Sequence, residues 1–155
     1  MRRTFNATCV LILFFTALAS AQSKPNFAGK WALTDPNAAG VGMNPTSITV
    51  TQNDKTITLV TVGQMGEIKT VFNLDGTEGK SPIEIQGMSI DRVTKSAWDG
   101  NKLVLTTVSD FQGQSFENKQ IWTLGADGTL TVDSTRPDFQ GGGAPITTKL
   151  VYKKQ

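Results

Sequence analysis

The 155-residue sequence predicts an all-β fold: a single antiparallel up-and-down meander closed into a β-barrel of about 8–10 strands, with a β-sandwich of the same strands as the alternative. Three observations predict it. Apolar and polar residues alternate with a period of two, as in Ser47-Ile48-Thr49-Val50-Thr51, Thr56-Ile57-Thr58-Leu59-Val60 and Leu130-Thr131-Val132, and Thr and Val favour strands. Tight-turn dipeptides recur at Asp75-Gly76, Asp99-Gly100 and Asp127-Gly128, with Asn53-Asp54 in a similar part; Asp-Gly supplies the positive φ angles that short hairpins need. Finally, Asp110-Phe111-Gln112-Gly113 returns as Asp138-Phe139-Gln140-Gly141, and Asp99-Gly100 as Asp127-Gly128, both at a spacing of 28 residues. Two strands of a meander bring the chain back to the same end. The Asp-Gly turns should therefore share one end of the sheet, and the two DFQG segments the other.

Residues 1–21 stand apart. Arg2 and Arg3 precede an unbroken run of apolar residues and Thr from Cys9 to Ala19, and Ala19-Ser20-Ala21 is an A-x-A site. This is the pattern of a secretory signal peptide cut between Ala21 and Gln22, too short to span a bilayer. The expected location is secreted or periplasmic, with residues 22–155 forming one barrel domain and no transmembrane segment in the mature chain. The cut would leave thirteen basic against thirteen acidic residues and remove the only Cys. A neutral chain gives a nucleic-acid partner no electrostatic support. A secreted domain without a disulfide must rest on its core and its backbone hydrogen bonds, which suits a closed sheet.

After the leader, the alternation marks ten strands, at about 27–34, 46–52, 55–62, 67–74, 80–86, 89–98, 102–109, 115–124, 129–136 and 146–154. The looser connections are 63–66, 86–88, 110–114 and 137–145. The first strand runs toward the DFQG end and the last away from it, so the two can pair antiparallel and remove the open edges.

Phe27-Ala28-Gly29-Lys30-Trp31 resembles the Gly-x-Trp opening of the lipocalins and the related fatty-acid-binding proteins, the calycins. The ending Thr148 to Lys154 resembles the last strand of the fatty-acid-binding branch, and small secreted bacterial lipocalin-like proteins are similar in rhythm. The resemblance implies a barrel with an internal ligand and with Gly29 and Trp31 at its base. It also implies a basic residue over Trp31, for which Lys149 or Lys153 is the expected choice because Arg136 lies at the other end. Two departures matter. Residues 35–45 are too short and too rich in Gly and Pro for the helix pair of the fatty-acid-binding branch. Its last-strand Arg-x-Tyr pair is here Leu150 and Tyr152, so a fatty-acid carboxylate would lose its charge-assisted partner.

The residue types restrict the chemistry. There is no His, and without Cys9 no thiol, which excludes Ser-His-Asp and Cys-His catalysis and the usual zinc sites. No phosphate-binding glycine motif and no calcium loop is present. Asp75/Glu78 and Asp133/Asp138 fall in or beside turns, where Asp has its own structural reason. No catalytic residue, metal or cofactor is expected. Trp98 and Trp122, near Asp-Gly turns, read as core. Phe111 and Phe139 sit in polar loops and, with Met43, either rim an apolar mouth or fold inward as caps. Arg92 is either an inward-facing partner for an anion or, as the expected reading, an outward surface charge.

The predicted function is non-covalent binding of a small, mostly apolar molecule inside the barrel, through Met43, Arg92, Phe111, Phe139, Leu150 and Tyr152. The alternative is an envelope interaction module that uses the aromatic rim on another protein.

Overall fold

Eleven strands form in the computed structural model, which describes residues 24–39, 44–63, 65–85, 87–138 and 143–155. They are β1 (Gly29–Leu33), β2 (Ser47–Gln52), β3 (Thr56–Gly63), β4 (Gly66–Asn73), β5 (Gly79–Lys80), β6 (Ile83–Ile85), β7 (Met88–Asp99), β8 (Lys102–Phe111), β9 (Gln114–Leu124), β10 (Leu130–Arg136) and β11 (Ile146–Lys154). All pairings are antiparallel, and the strand order is β4-β3-β2-β1-β11-β10-β9-β8-β7-β5, with β6 also on β7. The first and last strands pair as the sequence requires, Trp31 opposite Lys154 and Leu33 opposite Tyr152. The result is one continuous, nearly closed barrel rather than a sandwich. The leader and its cut, at residues 1–21, lie outside the described residues, as do Met43 and Phe139.

The Asp-Gly turns gather at one end, here the closed end, and join β4 to β5, β7 to β8 and β9 to β10. The β2–β3 turn at Asn53-Asp54 lies at this end too, and the other end, the mouth, carries the β1–β2, β3–β4, β6–β7, β8–β9 and β10–β11 connections. Two expectations are corrected. The strand predicted at 80–86 is two short strands, because Pro82 has no N–H and interrupts the ladder to β7. The loose loop predicted at 110–114 is a tight hairpin. Phe111 pairs with Gln114, and Gln112 and Gly113 both take positive φ, 52° and 81°, the two-residue turn whose twist matches paired strands.

Cross-strand rows show how the interior is graded. Near the closed end, Trp98, Leu103, Trp122, Val132 and Leu150 lie opposite one another on β7 to β11. The next row is Ser96, Leu105, Gln120, Ser134 and Thr148. Beyond it come Thr94, Thr107 and Asn118, and then Arg92, Ser109 and Phe116. The apolar row continues around the barrel through Phe27, Trp31, Ile48, Val50, Ile57, Leu59, Phe72 and Tyr152, all buried. Ala38, in a 3-10 turn over Pro36–Ala39, packs on this core from the β1–β2 connection.

One seam is closed differently. β4 and β7 share no backbone ladder. Instead Thr94 Oγ1 donates to Val71 O at 2.7 Å and Ser96 Oγ to Asn73 O at 2.6 Å. Arg92 Nη2 donates to Lys69 O at 3.3 Å and to Thr70 Oγ1 at 2.9 Å. Side chains at alternate positions of β7 thus stand in for a missing strand and satisfy three successive inward carbonyls of β4. Gly79 makes room for this, since a Cβ there would lie 2.8 Å from Thr94 Oγ1.

Candidate functional site

The closed end is a foundation. Trp31 Nε1 donates to Phe27 O at 2.9 Å, and the Phe27 ring meets Trp122 edge-on at 5.7 Å and stacks on Trp98 at 6.3 Å. The cation over Trp31 is Lys154, with Nζ 5.6 Å from the ring centroid, and not Lys149 or Lys153. The reason is parity. Lys154 stands opposite Trp31 and two residues after Tyr152, on the inward face, whereas positions 149 and 153 face out. Gly29 is needed beneath it: its φ is +143°, and a Cβ there would lie 2.5 Å from Lys154 Cε. Gly29 and Trp31 therefore occupy the base of the barrel.

Leu150 and Tyr152 share the inward face of β11, as expected, and both are fully buried. The Tyr152 hydroxyl donates to Pro45 O at 3.0 Å. Burial raises its pKa well above the ordinary value of 10.0. The hydroxyl is thus neutral and committed to holding the β1–β2 connection on the core.

Arg92 is the main surprise. The expected outward surface charge is overturned, because Arg92 lies on the inward face with Thr94, Ser96 and Trp98. Its Nε donates to Ser81 O at 3.0 Å, while its Nη2 carries the two seam bonds. The two Nη1 hydrogens have no partner among the described residues. Burial pushes the guanidinium's pKa down, and the group stays charged, since arginine does not deprotonate in proteins.

Around Arg92 the mouth is lined by small polar groups. Thr107, Ser109, Asn118 and Thr148 face inward and are half-buried. None of the four makes a side-chain hydrogen bond among the described residues. Phe111 is half-buried at the end of β8, and Phe116 half-buried on the inward face of β9. The strand carboxylates Glu67, Asp91, Asp110, Glu117 and Asp133 fall on the alternate, outward positions. Among the described residues, the inner wall around Arg92 therefore combines its guanidinium with hydroxyl and amide groups that have no protein partner and with the rings of Phe111 and Phe116.

The rim is apolar, but from residues the sequence did not single out. Met65 is 53% exposed, Met88 46%, Val62 42% and Ile146 39%. Met65 and Met88 are in or beside two-residue turns between β3 and β4 and between β6 and β7, and alternation alone could not mark them. Of the carboxylates read from the sequence as turn residues, Asp75 is one, whereas Asp133 lies in the middle of β10, paired with Ile121 and Lys149. Asp75 Oδ1 accepts from Thr77 Oγ1 at 2.6 Å and from Thr77 N at 2.9 Å.

Two hollows lie elsewhere on the described surface. One, of about 690 Å³, is on the outer wall of β9 to β11, between Lys119, Asp133, Arg136 and Pro145. The other, of about 280 Å³, is at the closed end beside Trp98. Among the described residues no three His, Cys, Asp or Glu side chains converge to hold a metal, and no helix is long and apolar enough to cross a membrane.

Compared with known proteins, the chain matches no family model and no curated sequence. Its architecture, an all-antiparallel and nearly closed barrel, is compatible with the calycin fold.

Proposed function

We propose that this is a non-enzymatic, lipocalin-like binding protein that takes a small molecule into the mouth of its barrel. One observation carries the reading: Thr107, Ser109, Asn118 and Thr148 face inward, half-buried, with no protein partner, beside an Arg92 that keeps two free N–H groups. Half-buried polar groups are open to water, and a wall that carries several of them without a protein partner suits a solute that hydrogen-bonds there in water's place. The graded interior narrows the ligand. A purely apolar molecule would leave these groups unpaired, whereas an amphipathic one sets its apolar part against Leu105, Phe111 and Phe116 and an acidic group toward Arg92. Among the described residues the strand carboxylates face outward, away from the space where paired acids would do hydrolytic chemistry, which supports binding without reaction.

The test is a fluorescence titration with anilinonaphthalene sulfonate and with its uncharged counterpart phenylnaphthylamine. Saturable binding of the sulfonate is expected, weakened about tenfold or more when Ser109→Trp fills the mouth. Circular dichroism checks that this variant folds. Binding unchanged in Ser109→Trp, or no saturable binding at all, overturns the proposal.

The exposed Met65, Met88, Val62 and Ile146 support a second reading, in which the rim docks on a partner protein. Cross-linking in the native envelope that persists after Met65→Ser and Met88→Ser would count against it.

A further inference from the structure

Both methionines among the described residues stand at the mouth, and neither is in the core. Met65 ends the two-residue turn between β3 and β4 and is 53% exposed, while Met88 opens β7 and is 46% exposed. These are the two highest exposures among the described large apolar residues. The buried core is built instead from Leu, Ile, Val, Phe, Trp and Tyr. Met1 and Met43, the other two methionines of the sequence, lie outside the described residues.

The seam sets Met65 and Met88 at one level. Arg92 bonds to Lys69 O, Thr94 to Val71 O and Ser96 to Asn73 O, each pair 23 residues apart. Met88 and Met65 have the same separation, four residues before Arg92 and Lys69. Strands β4 and β7 both run away from the mouth, so this register places the two methionines where the seam opens onto the rim. Val62 and Ile146 are hydrocarbon members of the same rim. The rim therefore has two members whose polarity chemistry can change and two whose polarity it cannot.

The chemistry is that of a thioether. Its sulfur lone pair attacks one oxygen of a hydroperoxide; the S–O bond forms as the O–O bond breaks. Sulfur loses two electrons, the hydroperoxide is reduced, and the departing hydroxide takes the peroxide proton and leaves as water. No thiol competes among the described residues, because the only Cys, Cys9, lies in the expected leader. The product sulfoxide is polar, and reductases can return it to the thioether. In a core it would disrupt packing, but at these exposed positions water solvates its oxygen. We propose that Met65 and Met88 form a reversible oxidation site that takes one oxygen each from a hydroperoxide and switches the rim from apolar to polar while the core stays intact. The site shares the rim with the docking reading but does not rest on it, nor on a ligand in the mouth.

Hydrogen peroxide is the probe. The native protein should gain one oxygen at Met65 and one at Met88, located by peptide mass mapping, as fast as the same residues do in the urea-unfolded chain, since susceptibility follows exposure. The thermal midpoint should not move. Retention on a phenyl-substituted matrix should fall to that of the double variant Met65→Gln, Met88→Gln, and methionine sulfoxide reductase should restore both mass and retention. The double variant Met65→Leu, Met88→Leu should keep its retention under peroxide. Oxidation much slower than in the unfolded chain, a lowered thermal midpoint, unchanged retention once both residues are oxidised, or a loss of retention in the Leu variant would each overturn the proposal.

Discussion

The two ends of the barrel solve the same packing problem in opposite ways. At the closed end the inward positions are filled by Trp31, Trp122, Phe27, Leu103 and Tyr152, and each polar atom of Trp31, Trp122 and Tyr152 has a partner. At the mouth, on the same strands, the inward positions are Thr107, Ser109 and Asn118, half-buried and without partners. One end therefore supplies stability, because apolar area removed from water dominates folding. The other end is left able to interact with something else. β8 and β9 cross both regions without a break, so the division there lies in the side chains, not in the backbone.

The sharpest way to break this comparison is to mutate a single strand at both ends. Trp122 and Asn118 share the inward face of β9. Trp122→Ala should cost about 3–5 kcal/mol, the usual range for a fully buried aromatic residue cut to Ala. Asn118→Ala should stay within about 0.5 kcal/mol, as for a site without packing or hydrogen bonds to lose. Chemical denaturation gives both numbers from shifts in midpoint at constant slope. Equal costs would mean that the mouth is part of the core.

A smaller contrast lies between two neighbouring threonines. Thr94 and Thr107 are directly opposite one another on β7 and β8. Thr94 is fully buried and donates to Val71 O across the seam, whereas Thr107 donates to nothing among the described residues. Replacing either by Val keeps the shape and removes the hydroxyl. Thr94→Val should destabilise by about 1–3 kcal/mol, because it strands a β4 carbonyl in the barrel wall. Thr107→Val should be neutral or slightly stabilising, and should weaken whatever the mouth binds. The same denaturation curves, read beside the dye titration, separate the two roles.

These contrasts were only partly legible in the sequence. Strands and closed-end turns were, because period-two alternation and Asp-Gly are local signals that no tertiary contact overrides here. The break at Pro82 was also a local signal, a missing N–H, set aside in favour of a longer alternating run. Parity could have found two more features. Trp98 reads as core, and counting back in twos from it places Ser96, Thr94 and Arg92 inside. Counting forward from Tyr152 places Lys154, not Lys153, beside Trp31. The general tendency of charged residues to be exposed prevailed over that count, because β7 is polar on both faces and offers no apolar contrast. The seam could not have been read. It depends on β4 and β7 approaching without a strand between them, and nothing in the composition of either strand states that.

The smallest effect concerns the turns that cap the closed end. Asp75 and Asp127 hold their carboxyls' pKa below the ordinary 3.8, chiefly through the hydroxyls of Thr77 and Thr129 and then through the backbone N–H groups of the same residues. A carboxyl whose pKa is lowered in the fold adds stability that is in place above its unfolded value. That stability is lost as the pH falls through the lowered folded value. The closed end should therefore loosen in acid, below the ordinary carboxylate value of 3.8. Asn can accept the same two hydrogen bonds without titrating. The double variant Asp75→Asn, Asp127→Asn should match the parent protein at neutral pH and lose less stability in acid, as followed by thermal unfolding across that range. Both side chains are exposed, so the difference should be small and should shrink with added salt. An identical acid profile for variant and parent would mean that these two turns do not carry the acid sensitivity of the closed end.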